Sequence, residues 1–189
     1  MSEKISNNNY GCRDDKSMRK YSHAQELINN IPYLAMTLLG AAVFVVGFQT
    51  LMWQWIAAGA YIIYGVLGAL WIIIFVCPYC RYWNTRSCPC GYGRIAAKLR
   101  ESKSDGCFTD KFKKHIPVIV PLWFIPPIAG IPLVISSFSW LLLILIVIFA
   151  LDAFVVLPLF STRHSCKECP QRDLCPWMKH KTAPEQDCS

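Results

Sequence analysis

Long apolar blocks alternate with short polar segments along this chain. Four blocks stand out, over residues 31–53, 55–76, 116–136 and 138–160. Each runs about 21–23 residues, so as a helix it extends roughly 32–34 Å, enough to cross a hydrocarbon core of about 30 Å. Helices satisfy their own backbone groups in lipid, whereas open strands do not. The pattern therefore predicts an all-α integral membrane protein with four transmembrane helices, arranged as two hairpins.

The polar segments divide the chain. Residues 1–30 are expected to form a mobile polar tail. The apolar run that follows starts too late and is too long for a signal peptide. Residues 31–76 form the first hairpin, 77–115 a basic Cys-rich loop, 116–160 the second hairpin and 161–189 a Cys-rich tail.

Charge sets the orientation. All 19 Lys and Arg lie outside the apolar blocks, and none falls in the turns near 49–55 and 136–140. They occupy the N-terminal segment, the middle loop and the tail, which four spans bring to one side. The positive-inside rule makes that side cytoplasmic, with both termini in the cytoplasm of an inner membrane. Trp53, Trp55 and Trp140 fall at the outer turns, and Tyr79, Tyr82 and Trp83 at the inner end, where interfacial aromatics belong. The net charge of +7 is thereby accounted for by topology and calls for no nucleic-acid partner.

All ten cysteines share the basic side. Thiols clustered at short spacing in a reducing compartment point to metal ligation rather than to disulfides. Cys77, Cys80, Cys88 and Cys90 form one group, and Cys166, Cys169 and Cys175 form another. A fourth ligand for the second group could be His164, His180, Cys188 or a cysteine of the first group. Zinc takes closed tetrahedral thiolate sites, often opened by Cys-Pro-x-Cys. Iron–sulfur clusters also take four thiolates, often with Pro after a ligand cysteine, and Cys-Pro occurs here at 77, 88, 169 and 175. The expected cofactor is an iron–sulfur cluster, with zinc as the alternative. Cys77-Pro-Tyr-Cys80 also has the spacing of a redox-active dithiol. Cys12, Cys107 and Cys188 stand apart and are expected to be lone or lipidated thiols.

A parallel repeat is a further possibility. Each half opens on Ile-Pro (Ile31–Pro32, Ile116–Pro117), turns in a hairpin and closes on cysteines. Aligning Cys77 with Cys166 brings Cys80 onto Cys169.

Other positions bear on function. Asp152 is the sole charged residue in an apolar block and must be protonated, paired or beside a wet cavity. It could relay protons or hold a helix contact. Pro117, Pro121, Pro126, Pro127 and Pro132 should bend or break the third helix, leaving carbonyls for protein or water to satisfy. Small residues such as Gly40, Gly65 and Gly68 suit close helix packing. Residues 94–103 read as a short basic helix on the inner leaflet, with Ile95 and Leu99 on one face.

The expected function is a small membrane subunit holding one or two iron–sulfur clusters at the cytoplasmic face, passing electrons within a membrane complex. Its partners would be the bilayer, other subunits or a soluble redox protein, and independent catalysis is not expected. The alternative is a zinc-stapled assembly or regulatory subunit. A soft-metal transporter is disfavoured, since no cysteine lies within an apolar block or on the outer side.

Overall fold

The computed structural model describes residues 19–104 and 107–166, together with Cys169 and Cys175. Among them, regular structure is helical throughout. Four helical runs are long and apolar enough to cross a membrane: His23–Gly47, Leu51–Tyr79, Phe108–Ser136 and Trp140–His164.

Helix α1 (His23–Gly47) starts ahead of the apolar block, inside the segment expected to be a tail. Its start is written in a capping box. Ser22 Oγ accepts from the Gln25 N–H at 3.3 Å, and Gln25 Oε1 accepts from the Ser22 N–H at 3.0 Å. Pro32 therefore lies inside α1 rather than at its start. Pro117 lies in a 3-10 turn (Ile116–Val118) that follows α4 (Phe108–His115). The two Ile-Pro pairs thus occupy different local structures, and only the cysteine turns keep the correspondence that a repeat would need.

Helix α2 (Leu51–Phe75) returns against α1. Glycines set their approach. A Cβ on Gly40 would lie 2.4 Å from a ring carbon of Tyr61, and one on Gly65 would lie 3.1 Å from the Thr37 methyl. Gly59, by contrast, faces open space.

The third span is interrupted at Pro117 but not at the Pro126–Pro127 pair. Helix α5 (Pro121–Ser136) runs through Pro126, Pro127 and Pro132, and the departure from α-helix lies earlier, around the 3-10 turn. Pro126 has no N–H to offer the Leu122 carbonyl, and Tyr61 on α2 donates its hydroxyl to that carbonyl at 2.7 Å. Leu122 itself bonds to Ile119, leaving the Val118 carbonyl to Tyr64 Oη. Two tyrosines of α2 therefore supply donors that the proline-rich helix lacks, and the freed carbonyls are satisfied by protein.

Helix α6 (Trp140–Leu151) widens into a π-helical segment, Asp152–Val156, and continues as α7 (Leu157–Phe160) and a second π segment, Ser161–Ser165. Pro158 explains the first widening. Its ring crowds the carbonyl four residues back, and a looser turn relieves that contact. Met36, Leu122, Leu142 and Phe149 are fully buried between the helices. Outward residues of α2, α5 and α6, such as Ile63, Leu67, Ile131, Ile135 and Leu141, are exposed, as lipid-facing positions must be.

Candidate metal centre

The first cysteine group hangs from the end of α2. Pro78 cannot continue an α-helix ladder, and the chain tightens into a 3-10 turn, Cys77–Tyr79. The Cys80 N–H closes on the Cys77 carbonyl at 3.0 Å, so both thiols leave one turn. The second half of the group is a turn as well, closed by the Gly91 N–H on the Cys88 carbonyl at 3.1 Å. Gly91 takes φ +75°, which suits glycine, and caps the start of α3 (Tyr92–Leu99).

The two turns pack directly on each other. Asn84 donates its N–H to the Gly93 carbonyl at 3.1 Å. A Cβ on Gly93 would sit 2.2 Å from the Tyr82 carbonyl oxygen and 3.4 Å from Cys88 Cβ. Only glycine permits this approach.

Helix α1 clamps the second turn from outside. Asn29 Nδ2 donates to the Pro89 carbonyl at 2.9 Å, and Asn30 Nδ2 to the Cys90 carbonyl at 3.1 Å. Glu26 is buried and pairs with Arg94 of α3. The last polar turn of α1 thus holds the Cys-Pro-Cys backbone in place.

Backbone N–H groups surround the sulfurs. The Gly93 N–H donates to Cys88 Sγ at 3.4 Å. Burial pushes the Cys88 thiol up, while N–H groups of Gly93, Cys90, Gly91 and Tyr92 act to lower it. Burial likewise drives Cys80 well above its ordinary range, opposed by the Tyr82 N–H. Cys90 is pushed up to about 12, first by burial and then by Cys88, Cys166 and Glu26. These thiols hold their protons in the metal-free protein, and the N–H groups would favour the thiolate that a metal demands.

The second group approaches the first. Charge on Cys169 bears on Cys80, and charge on Cys166 bears on Cys90. Cys166 and Cys169 repeat the turn of the first group, with the Cys169 N–H 3.3 Å from the Cys166 carbonyl. None of the seven grouped cysteines is in a disulfide. Among the described residues, however, no three of His, Cys, Asp or Glu converge as ligands of one ion. His164 is exposed, with its ring 4.6 Å from that of Phe160. Cys107, expected to be a lone thiol, is disulfide-bonded. His180, Cys12 and Cys188 lie outside the described residues.

Asp152 begins the first π segment, and its Oδ2 is buried with no hydrogen-bond partner among the described residues. It stands apart from the cysteines along the fourth span. Glu26, Asn29, Asn30, Arg94 and Gly93 belong to the site although none is a candidate ligand by spacing. Their signals were present but faint: a capping box followed by a polar helical turn, and a Cys-Gly-x-Gly step after the last ligand.

No family model matches the chain, and no characterised protein or solved structure is similar to it.

Proposed function

We propose that this chain is a membrane-embedded electron-transfer subunit whose two cysteine groups together hold iron–sulfur at the cytoplasmic face. What supports the reading is that two segments far apart in sequence come within electrostatic reach, Cys169 raising Cys80 and Cys166 raising Cys90, each behind the larger effect of burial. The thiols so linked, Cys77, Cys80, Cys88, Cys90, Cys166 and Cys169, exceed what a single ion needs.

Cys77, Cys80, Cys88 and Cys90 would form one ligand set, with Cys166, Cys169 and Cys175 supplying a second or completing a shared one. Hydrogen bonds to sulfur are a lever on cluster potential, and the N–H groups around Cys88 would supply it. When bound, the cluster would supply one-electron chemistry. The protein's part is to fix the sulfurs, bury them and hold the site at the membrane surface. Partners would be a soluble donor or neighbouring subunits of a membrane complex, and no independent catalysis is assigned. The basic side, which carries the cysteines, faces the cytoplasm by the positive-inside rule.

A zinc-stapled assembly subunit is the second reading. The paired i to i+3 cysteine turns favour it, since such knuckles suit tetrahedral zinc. The test is metal and labile-sulfide content of protein purified without oxygen, with absorption spectra before and after dithionite. Iron with sulfide and a visible band that bleaches would support electron transfer. Zinc without sulfide or a visible band would leave the structural role.

A further inference from the structure

A cleft of about 420 Å³ opens between the first turns of α1 and the outer face of α3. His23, Glu26, Leu27, Asn30, Arg94 and Lys98 are among the residues lining it. Glu26 is already matched by Arg94, and Lys98 is exposed with no ion-pair partner among the described residues. The cleft therefore carries an uncompensated positive charge. It lies at the start of a membrane-spanning helix, where headgroups reside.

Below it runs an apolar track. Leu27, Ile31, Leu34 and Leu38 follow at spacings of four, three and four, which places them on one face of α1. All four are more than half exposed. Exposed Ile95 lines the same cleft from α3. A cationic recess above an unbroken apolar stripe matches a molecule with an anionic head and a hydrocarbon tail.

We propose that this cleft binds one anionic phospholipid, its phosphate beside Lys98 and one acyl chain along the Leu27–Ile31–Leu34–Leu38 stripe of α1. The site is independent of the metal reading, although Cys90 also lines the cleft. Bound lipid would cover that cysteine on its outer side.

The test is native mass spectrometry and lipid titration of the full chain in neutral detergent, with phosphatidylglycerol and phosphatidylcholine as probes. One saturable equivalent of phosphatidylglycerol is expected, bound at least about fivefold more tightly than phosphatidylcholine, as one juxtamembrane Lys is worth. Lys98→Gln should remove that preference. Lys113→Gln, at the end of α4, should leave it unchanged and controls for diffuse surface charge. Leu27→Gln should weaken both lipids. Equal affinity for the two lipids, retention of the preference in Lys98→Gln, or equal loss in Lys113→Gln would overturn the site. Competition by glycerol 1-phosphate at the same affinity would also overturn it, by assigning the cleft to a soluble phosphate ester.

Discussion

The two cysteine groups begin alike and are held differently. Both open with a turn closed from the fourth residue to the first, Cys80 onto Cys77 and Cys169 onto Cys166. The first group is then built into the fold. Asn29 and Asn30 bond its backbone, Gly93 lets its halves touch, and N–H groups face Cys88. The second follows a π-distorted helix end, its first cysteine anchored by a Cys166 N–H bond of 2.8 Å to the Ser161 carbonyl. Spacing closes each turn, but the surroundings of the first group come from other parts of the chain, from Asn29 and Asn30 of α1 and Gly93 of α3.

Four substitutions and one titration can break or sharpen that contrast. Gly93→Ala should have the largest effect. Its Cβ would strike backbone at 2.2 Å, which no side-chain rotation relieves. A loss of about 3 kcal/mol in stability is expected, together with loss of metal at the first group. Thermal unfolding in detergent and metal analysis check both. If metal content survives, the two turns do not need each other.

Glu26→Gln comes next. It leaves Arg94 without its charge partner where Glu26 is buried and Arg94 only partly so. The expected cost is about 2 kcal/mol, below that of a fully buried pair because water still reaches the guanidinium. Metal analysis of Glu26→Gln beside Cys175→Ser would separate the groups. The first should loosen metal at the clamped group, and the second should spare it. Equal losses in both would mean a single shared centre.

Tyr61→Phe tests the membrane half. The Leu122 carbonyl, freed by Pro126, would lose its donor. A cost of about 1 kcal/mol is expected, seen as a lower melting temperature with metal content intact.

The last prediction concerns pH, where the effect is negligible near neutrality and grows only above about pH 9. The Cys90 thiol is raised from 9.0 to about 12 by burial first, so the folded metal-free protein prefers the proton. Its stabilising contribution is complete below about pH 9 and is lost as pH rises toward about 12. Metal-free protein should therefore melt progressively lower above pH 9. Metal-loaded protein, with its thiol protons already released, should show a weaker alkaline decline. Identical pH profiles would argue that Cys90 is not a ligand.

The spans were legible because apolar length is a local property. Residues 55–76 and 138–160 announced helices whatever lay around them. The cysteine turns were legible for the same reason, since Cys-x-x-Cys closes on itself. The start of α1 was misjudged because its first turns are polar. They are helical through a cap at Ser22, and their Glu26, Asn29 and Asn30 face the cysteine loop rather than lipid. That the proline-rich span would leave carbonyls to be satisfied by other groups was legible, but that tyrosines on another helix would supply the donors was not.

The sequence by itself determined the helices, their number and the grouping of thiols at one end, because each depends on hydrophobicity or spacing within a short window. Only the tertiary structure decided which polar residues hold the first cysteine group and which carbonyls the tyrosines reach. Those contacts join residues about 60 positions apart, as from Asn30 to Cys90 or Tyr61 to Leu122. No local pattern encodes them, because they exist only once the apolar faces of the helices have packed and brought distant side chains within hydrogen-bonding reach.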